Sequence, residues 1–215
     1  PAPAWCDEGA GMSVSVEDAG CLAYCGAVVE GVANRESPRW MRDLLGACGL
    51  RPLGLLVDVT NVVMLELGEP MHAFDRRSLA GDRITVRAAR PGETLRLLDN
   101  RDLPLEGDLL IADRERGLAL AGIMGGEGSM VRDDTTRIVL EAATFAAARI
   151  RRTRVRTGVA TDSSSRFEKT LYVQQAALAI NRAIALLREA CPDLRVTCRF
   201  SGGEGLARLA RTPAT

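Results

Sequence analysis

Ile84-Thr85-Val86-Arg87-Ala88, Thr94-Leu95-Arg96-Leu97-Leu98, Leu109-Leu110-Ile111-Ala112-Asp113, Leu118-Ala119-Leu120-Ala121 and Arg137-Ile138-Val139-Leu140 follow one another, with turn signals such as Asp99-Asn100 and Arg116-Gly117 between them. Short apolar runs bounded in this way read as strands, so this stretch predicts a β-rich centre. The N-terminal flank begins with Ser13 to Val32, which reads as extended because Cys21, Ala23 and Cys25 alternate with Leu22 and Tyr24. Ser37 is placed to cap a helix that Pro38 opens, Trp40, Leu44 and Leu45 stripe, and Gly49 ends. Leu53 to Val59 reads as a buried strand running into a short helix capped by Thr60 and stopped by Gly68. His72 then falls in the loop from Gly68 to Asp75.

On the C-terminal side, Thr144 to Thr157 is helical with Gly158 as its stop, and Thr161 to Ser165 is a polar loop. Leu171 to Cys191 forms a long amphipathic helix, and Leu194 to Phe200 a last strand. Helices around a β-rich centre give an α+β fold. The organisation expected is a loose lead-in over 1–12, one domain over 13–200 and a flexible, Gly-rich tail over 201–215.

The 215 residues carry 28 basic and 28 acidic side chains, with 47% apolar and 26% charged residues. This mixture excludes a disordered, collagen-like or coiled-coil chain. The zero net charge is a cancellation between segments. Residues 1–34 hold Asp7, Glu8, Glu17, Asp18 and Glu30 and no basic residue, whereas residues 149–169 hold seven basic and two acidic ones. Neutrality therefore does not exclude a nucleic-acid partner. No apolar run approaches the roughly 18 residues needed to cross a bilayer, and Pro1 to Gly11 lacks the pattern of a signal peptide. The expectation is a soluble, cytoplasmic protein with no membrane partner. Cys6, Cys21, Cys25, Cys48, Cys191 and Cys198 show no CxxC spacing and lie far from the single histidine, so no metal and no cofactor is expected.

Four features could carry chemistry, and each also has a plainer reading. His72 has the one side chain that ordinarily titrates near neutrality, and can position water or polarise a carbonyl; it can equally hold a turn. Gly122-Ile123-Met124-Gly125-Gly126-Glu127-Gly128 allows close backbone approach by a ligand, or is a glycine hairpin; it matches neither a Walker loop nor a dinucleotide fingerprint. Glu141 ends an apolar strand beside Ala142 and Ala143, which suggests a pocket with one polar reader or a solvated strand end. Arg149, Arg152 and Arg156 fall at helical spacings of three and four, a face that can track phosphates or simply be solvated.

These segments also occur in one order with Ser37-Pro38-Arg39-Trp40, Val57-Asp58-Val59-Thr60-Asn61, Met64 through Asp75, Ala119 through Glu127, Arg151-Arg152-Thr153, Thr161-Asp162-Ser163 and Arg166-Phe167-Glu168. The series resembles, over about residues 13–190, the beta subunit of bacterial phenylalanyl-tRNA synthetase in its paired third and fourth domains, the tRNA-binding and editing module. The resemblance implies a three-layer β/β/α arrangement and an editing hydrolase that removes tyrosine wrongly esterified to the phenylalanine tRNA. It implies that Glu141 reads the tyrosine hydroxyl and that His72 and Thr60, the catalytic pair, orient the ester and a hydrolytic water. Ala121 and Gly122 keep the side-chain pocket small, with Gly125 and Asn61 completing the substrate-binding set. Arg149, Arg152 and Arg156 would contact RNA.

The partners implied are the tRNA acceptor end, the remaining domains of the beta subunit and the alpha subunit. A chain of this length has no room for the rest of such a subunit, so the expectation is a fragment or a diverged freestanding copy that does not aminoacylate alone. Leu53-Gly54-Leu55-Leu56, Val62, Ser165, Gly128 and Lys169-Thr170-Leu171-Tyr172 depart from the family's usual residues. A non-catalytic tRNA-binding or interaction module is the alternative, and a scaffold without RNA contact a third.

Overall fold

In chain order the elements are β1 (Ser13–Val16), β2 (Cys21–Glu30), α1 (Arg39–Ala47), α2 (Leu55–Leu67), β3 (Met71–Asp75), β4 (Arg83–Ala88), β5 (Thr94–Arg96), β6 (Asp102–Pro104), β7 (Leu109–Ala112), β8 (Gly117–Leu120), β9 (Met124–Gly125), β10 (Arg137–Phe145), α3 (Ala147–Thr157), α4 (Asp162–Phe167), α5 (Val173–Ala190), β11 (Arg195–Gly202) and α6 (Glu204–Arg211). The computed structural model describes residues 11–211. Most of the expected lead-in over 1–12, and the end of the expected tail, lie outside the described residues.

Alternation along the long strands dictates the layers. One face of β10 presents Val139, Ala143 and Phe145, which join Tyr24, Phe74 and Phe200 and the inner side chains of the second sheet, Ile84, Val86, Leu110, Leu118 and Leu120, in one core. The other face presents Ile138, Leu140 and Ala142, which pack with Leu45 of α1, Val59 and Val63 of α2 and Ile180 and Leu187 of α5 in a second core. A five-stranded sheet of order β1-β4-β7-β8-β9, a four-stranded sheet of order β11-β2-β10-β3 and a helical layer result, with β5 and β6 as a separate ribbon. The α+β fold and the three-layer β/β/α arrangement expected above are both present. β1 runs parallel to β4, and the four-stranded sheet is antiparallel throughout.

Several local expectations are corrected. Leu53 to Val59 is not a strand: α2 begins at Leu55 and runs without a break to Leu67, closed by Gly68 in the left-handed conformation at φ 72°. An apolar run buried on nearly all sides has no periodicity to separate strand from helix. The start of α2 is fixed instead by Asp58, whose carboxylate accepts from the Leu53 N–H at 2.8 Å and the Ser37 hydroxyl at 2.5 Å. Ser37 therefore braces α2 and does not cap α1, whose first position is preceded by Pro38 without a side-chain cap. Thr60 is interior to α2 and caps nothing; its Oγ1 donates to Val57 O at 2.7 Å. Met41 and Leu45 form the buried stripe of α1, and Trp40 is exposed.

His72 lies in strand β3 and not in a loop. Glu141 lies in the middle of β10, which continues to Phe145, so the helix expected from Thr144 starts at Ala147. Thr161 to Ser165 is the capped first part of α4, in which Thr161 and Ser164 exchange side-chain-to-backbone bonds at 3.1 and 2.9 Å. The expected tail contributes the end of β11 and then α6.

Candidate active site

β3 is the edge strand that brings the site together. Gly68 ends α2, Pro70 fixes the backbone of the corner, and the strand that follows pairs with β10 so that His72 stands opposite Glu141 and Met71 opposite Ala142. Partners across a ladder share a face. Both side chains therefore turn toward the space between the sheets. On the far side of β10, Glu141 faces Gly26, and Gly26 faces Phe200. A Cβ at Gly26 would stand 2.2 Å from the Phe200 ring, so the absent side chain is what lets the aromatic ring lie over β2.

The cavity between the sheets is lined by His72 and Glu141 together with Gly122, Met124, Gly125, Phe145, Ser163 and Phe167 among its walls, and holds about 100 Å³. A water needs only about 10–15 Å³ by such a measure, so there is room for a planar ring or several waters. The glycine segment closes the cavity as a tight turn between β8 and β9, with Gly122 at φ 67° and the Ile123 N–H bonded to Leu120 O at 3.0 Å. The segment is thus the glycine hairpin of its plainer reading, and it also walls the cavity. A Cβ at Gly122 would meet Ile150, Phe145 and Phe167 at 2.9 to 3.0 Å, and one at Gly125 would meet the His72 Cε1 at 2.5 Å. The N-terminal end of α4 clamps the turn: Thr161 Oγ1 donates to Ile123 O at 2.8 Å and Ser163 Oγ to Gly122 O at 3.2 Å.

The polar groups facing this space are bare. Glu141 is buried, and burial alone pushes its carboxyl up to about 8. His72 packs edge-on against Phe74 at 4.5 Å, its Nε2 is buried without a hydrogen-bond partner, and burial pulls its pKa down to about 4. The imidazole is thus neutral at physiological pH. The contrast with the buried aspartates is informative. Asp75 accepts from Thr135 at 2.7 Å and Arg77 at 2.8 Å, Asp108 from Thr153 at 2.9 Å, and Asp113 from three backbone N–H groups at 2.8 to 2.9 Å. Each of these buried aspartates has its donors within the fold. A bare one facing a cavity marks a place where a ligand supplies the donor.

Of the residues singled out from the sequence, His72, Glu141, Gly122 and Gly125 meet in this cavity, and Ala121 is buried immediately beside it. Thr60 and Asn61 do not line it; α2 packs on the helical side of the four-stranded sheet, and the Thr60 hydroxyl is spent on Val57. The arginine face is also divided. Arg149 pairs with Asp18 at 2.6 Å and Arg156 with Asp108, so both clamp α3 onto the rest of the chain, while Arg152 is exposed. The acidic partners lie far away in sequence, which is why spacing alone made the three look equivalent. Phe145, Met124 and Phe167 went unnoticed as site residues. Phe145 stands four residues after Glu141 on one strand, and that even spacing is the signal that placed it on the same face.

Residues 20–192 match the B3/4 domain family. The chain is 52% identical over 171 residues to the phenylalanine–tRNA ligase beta subunit of Methylococcus capsulatus, covering 79% of this chain and 22% of that one. It is 48% identical over 168 residues to the corresponding subunit of Anaeromyxobacter dehalogenans, covering 78% and 21%, and 41% identical over 212 residues to that of Oleidesulfovibrio alaskensis, covering 96% and 25%. The chain thus spans between a fifth and a quarter of the length of these relatives. A crystal structure of an N-terminal fragment of the phenylalanyl-tRNA synthetase beta subunit from Pyrococcus horikoshii shares the fold, with a TM-score of 0.56 at 15% identity over 88% of this chain and 50% of that one. With the layered fold and the matched segment in agreement, this chain belongs to the B3/4 domain family, in the form found in phenylalanine–tRNA ligase beta subunits.

Proposed function

We propose that the cavity is an editing site that hydrolyses tyrosine from a mischarged phenylalanine tRNA. The observation that carries the proposal is Glu141, a buried carboxyl with no donor of its own, set in a cavity walled by Phe145, Phe167 and the glycine turn. A phenylalanine-sized synthetic pocket rejects an added hydroxyl weakly, so discrimination requires a second site that binds the hydroxyl positively. A tyrosyl ring entering beside Gly122 offers its phenolic O–H to Glu141. A phenylalanyl ring leaves the carboxyl unpaired, at a cost of about 1–3 kcal/mol.

The aminoacyl ester then lies toward His72. With a pKa near 4 the imidazole is a poor proton acceptor, and its role is to orient water through the unpartnered Nε2. The water oxygen attacks the ester carbonyl carbon, the carbon–oxygen bond to the terminal ribose breaks, and the ribose oxygen takes up the proton. Holding water and ester together supplies most of the acceleration. Arg152, exposed on α3, is the member of the arginine face free to meet a phosphate. The natural setting in this reading includes the tRNA, the rest of a beta subunit and an alpha subunit.

Deacylation of Tyr-tRNA and Phe-tRNA by the 215-residue chain, with Glu141→Ala and His72→Ala beside it, tests the proposal. A preference for Tyr-tRNA that Glu141→Ala abolishes and His72→Ala slows is the expected result. Binding of both tRNAs with deacylation at the rate of buffer overturns catalysis and leaves a tRNA-docking module.

A further inference from the structure

One flank of Glu141 is closed by a group that does not line the cavity. On the face of the four-stranded sheet that turns toward the other sheet, the neighbours of Glu141 are Val139 and Ala143 along β10, His72 across the ladder on β3 and Gly26 across the ladder on β2. The first three carry side chains, whereas Gly26 leaves a gap where a side chain would stand. Cβ positions directly opposite each other on such a ladder are about 4.5–5.5 Å apart, so the gap lies immediately beside Glu141. Phe200 fills it from one strand further out, on β11. Its Cζ comes nearest to the place a Gly26 Cβ would take, followed by Cε2 at 2.5 Å and Cε1 at 2.8 Å. The end of the ring therefore arrives first and points across β2 toward β10. Tyr24, buried on the same face two residues before Gly26, stacks with Phe200 at 6.2 Å and 23° and backs the ring in that position. The Tyr24 hydroxyl is itself buried and makes no hydrogen bond, so the phenol already present on this face does not serve Glu141.

We propose that Phe200 is a specificity-determining residue of the cavity: its ring end, apolar and without a hydrogen-bond donor, seals the Gly26 flank of Glu141, so that a donor to the carboxyl must enter through the cavity. Phe200 is a positioning residue; it acts through Glu141 and does not touch the substrate. The role in specificity rests on the editing reading, whereas the seal itself does not. Two properties of the side chain are needed. Its length carries the ring end from β11 over Gly26, and a shorter side chain opens the flank to water, which then pairs with the carboxyl whether or not the bound ring carries a hydroxyl. Its lack of a hydroxyl matters because Cζ is the atom nearest the gap. A phenolic oxygen on that carbon would be aimed at Glu141 and would take the acceptor intended for the substrate. The ionisable groups around Glu141 are His72 on β3, Cys21 and Tyr24 on β2 and Glu69 at the corner before β3, and none of these is cationic at neutral pH.

Carbon-13 titration of the glutamate carboxyls in the whole chain, with Glu141→Gln to identify the step, tests the seal without any tRNA. Wild type should show the Glu141 step well above the ordinary carboxylate range, near 8. Phe200→Tyr keeps the ring and should lower that step by about one pH unit or more, because a donor favours the charged carboxyl. Phe200→Leu withdraws the ring end, admits water and should lower the step as well. A Phe200 that merely fills the core would cost stability in Phe200→Leu and leave the step in place in both variants, and that result overturns the seal. Phe200→Leu decides alone if the added hydroxyl prevents folding.

The role in specificity is read separately, with tyrosyl and phenylalanyl adenosine, each joined by a non-hydrolysable amide, as probes. Wild type should prefer the tyrosyl probe, and both variants should reduce that preference about tenfold. Phe200→Leu should do so by strengthening the binding of the phenylalanyl probe, and Phe200→Tyr by weakening that of the tyrosyl probe as well. A preference retained in variants whose Glu141 step has moved overturns the role of Phe200 and leaves the editing reading standing. A wild type with no preference for the hydroxyl at any pH overturns the editing reading and the role with it, while a moved step still establishes the seal.

Discussion

At the scale of single residues, the decisive property is the absence of partners. Burial holds Glu141 neutral up to about pH 8. A phenolic donor favours the ionised form, so bound tyrosine lowers that value and discrimination against phenylalanine strengthens as pH rises toward 8. The ratio of Tyr-tRNA to Phe-tRNA deacylation should therefore climb about tenfold or more between pH 6 and 8, the factor that about 1.4 kcal/mol represents. Glu141→Gln should give a flat ratio across the same range, and a wild-type ratio independent of pH would remove Glu141 as the reader. Gly125 controls the other polar group. The Cβ of Gly125→Ala would intrude 2.5 Å from the His72 ring, and an overpacked contact of that kind costs about 1–3 kcal/mol. Hydrolysis should fall far more than binding of tyrosyl adenosine joined by a non-hydrolysable amide, because the ring that orients water is the group displaced; equal losses in both would argue against that role.

At the scale of elements, the cavity depends on segments whose nature the local sequence left ambiguous. The short β strands between 84 and 140 were legible because Gly, Asp and Asn turns bounded them, and α5 because its apolar stripe is periodic. α2 was not, because Leu55, Leu56, Val59, Val62 and Val63 are all buried and its starting signal is a carboxylate bonded to Ser37, which is 21 residues away. β10 was cut short at Glu141 for a related reason: a charge inside a strand reads as an end unless a cavity is there to receive it. The period of two in His72 and Phe74, by contrast, was visible and would have placed His72 on β3. α3 shows the same limit in its charges. Its hold on the rest of the molecule runs through Asp108, which accepts from Thr153 and Arg156, and through Asp18, which accepts from Arg149. Asp108→Ala strands a buried hydroxyl and a guanidinium and should destabilise the fold by about 2–4 kcal/mol. Arg152→Glu should leave stability within about 0.5 kcal/mol while weakening tRNA binding and making it less salt-dependent. Chemical denaturation beside a salt series of tRNA binding separates the two; loss of stability without loss of binding in Arg152→Glu would take the RNA contact away from α3.

At the scale of the whole molecule, Glu141 and His72 in the cavity, and Glu69, buried without a hydrogen-bond partner in the corner between α2 and β3, should shape stability against pH. A carboxyl whose pKa is higher folded than unfolded binds more protons in the folded state, so its contribution is full below the unfolded value and is lost as pH rises toward the folded one. Glu69 and Glu141, raised from 4.5 to about 9 and about 8, therefore each draw stability down from pH 4.5 upward. His72, lowered from 6.5 to about 4, acts in the opposite sense: its contribution is present above 6.5 and lost as pH falls toward 4. Between 4.5 and 6.5 the histidine offsets one of the two carboxyls. Above 6.5 nothing in the cavity does. Each unmatched proton is worth about 1.4 kcal/mol per pH unit, so unfolding free energy should fall more steeply from pH 6.5 to 8 than from pH 5 to 6.5. Glu69→Gln and Glu141→Gln together should flatten the steeper limb, and His72→Phe should steepen the shallower one. Denaturant midpoints collected across this range decide the matter: parallel profiles for wild type and the double variant above pH 6.5 would mean that the two carboxyls titrate as ordinary surface groups, and the charge logic of the cavity would fall with them.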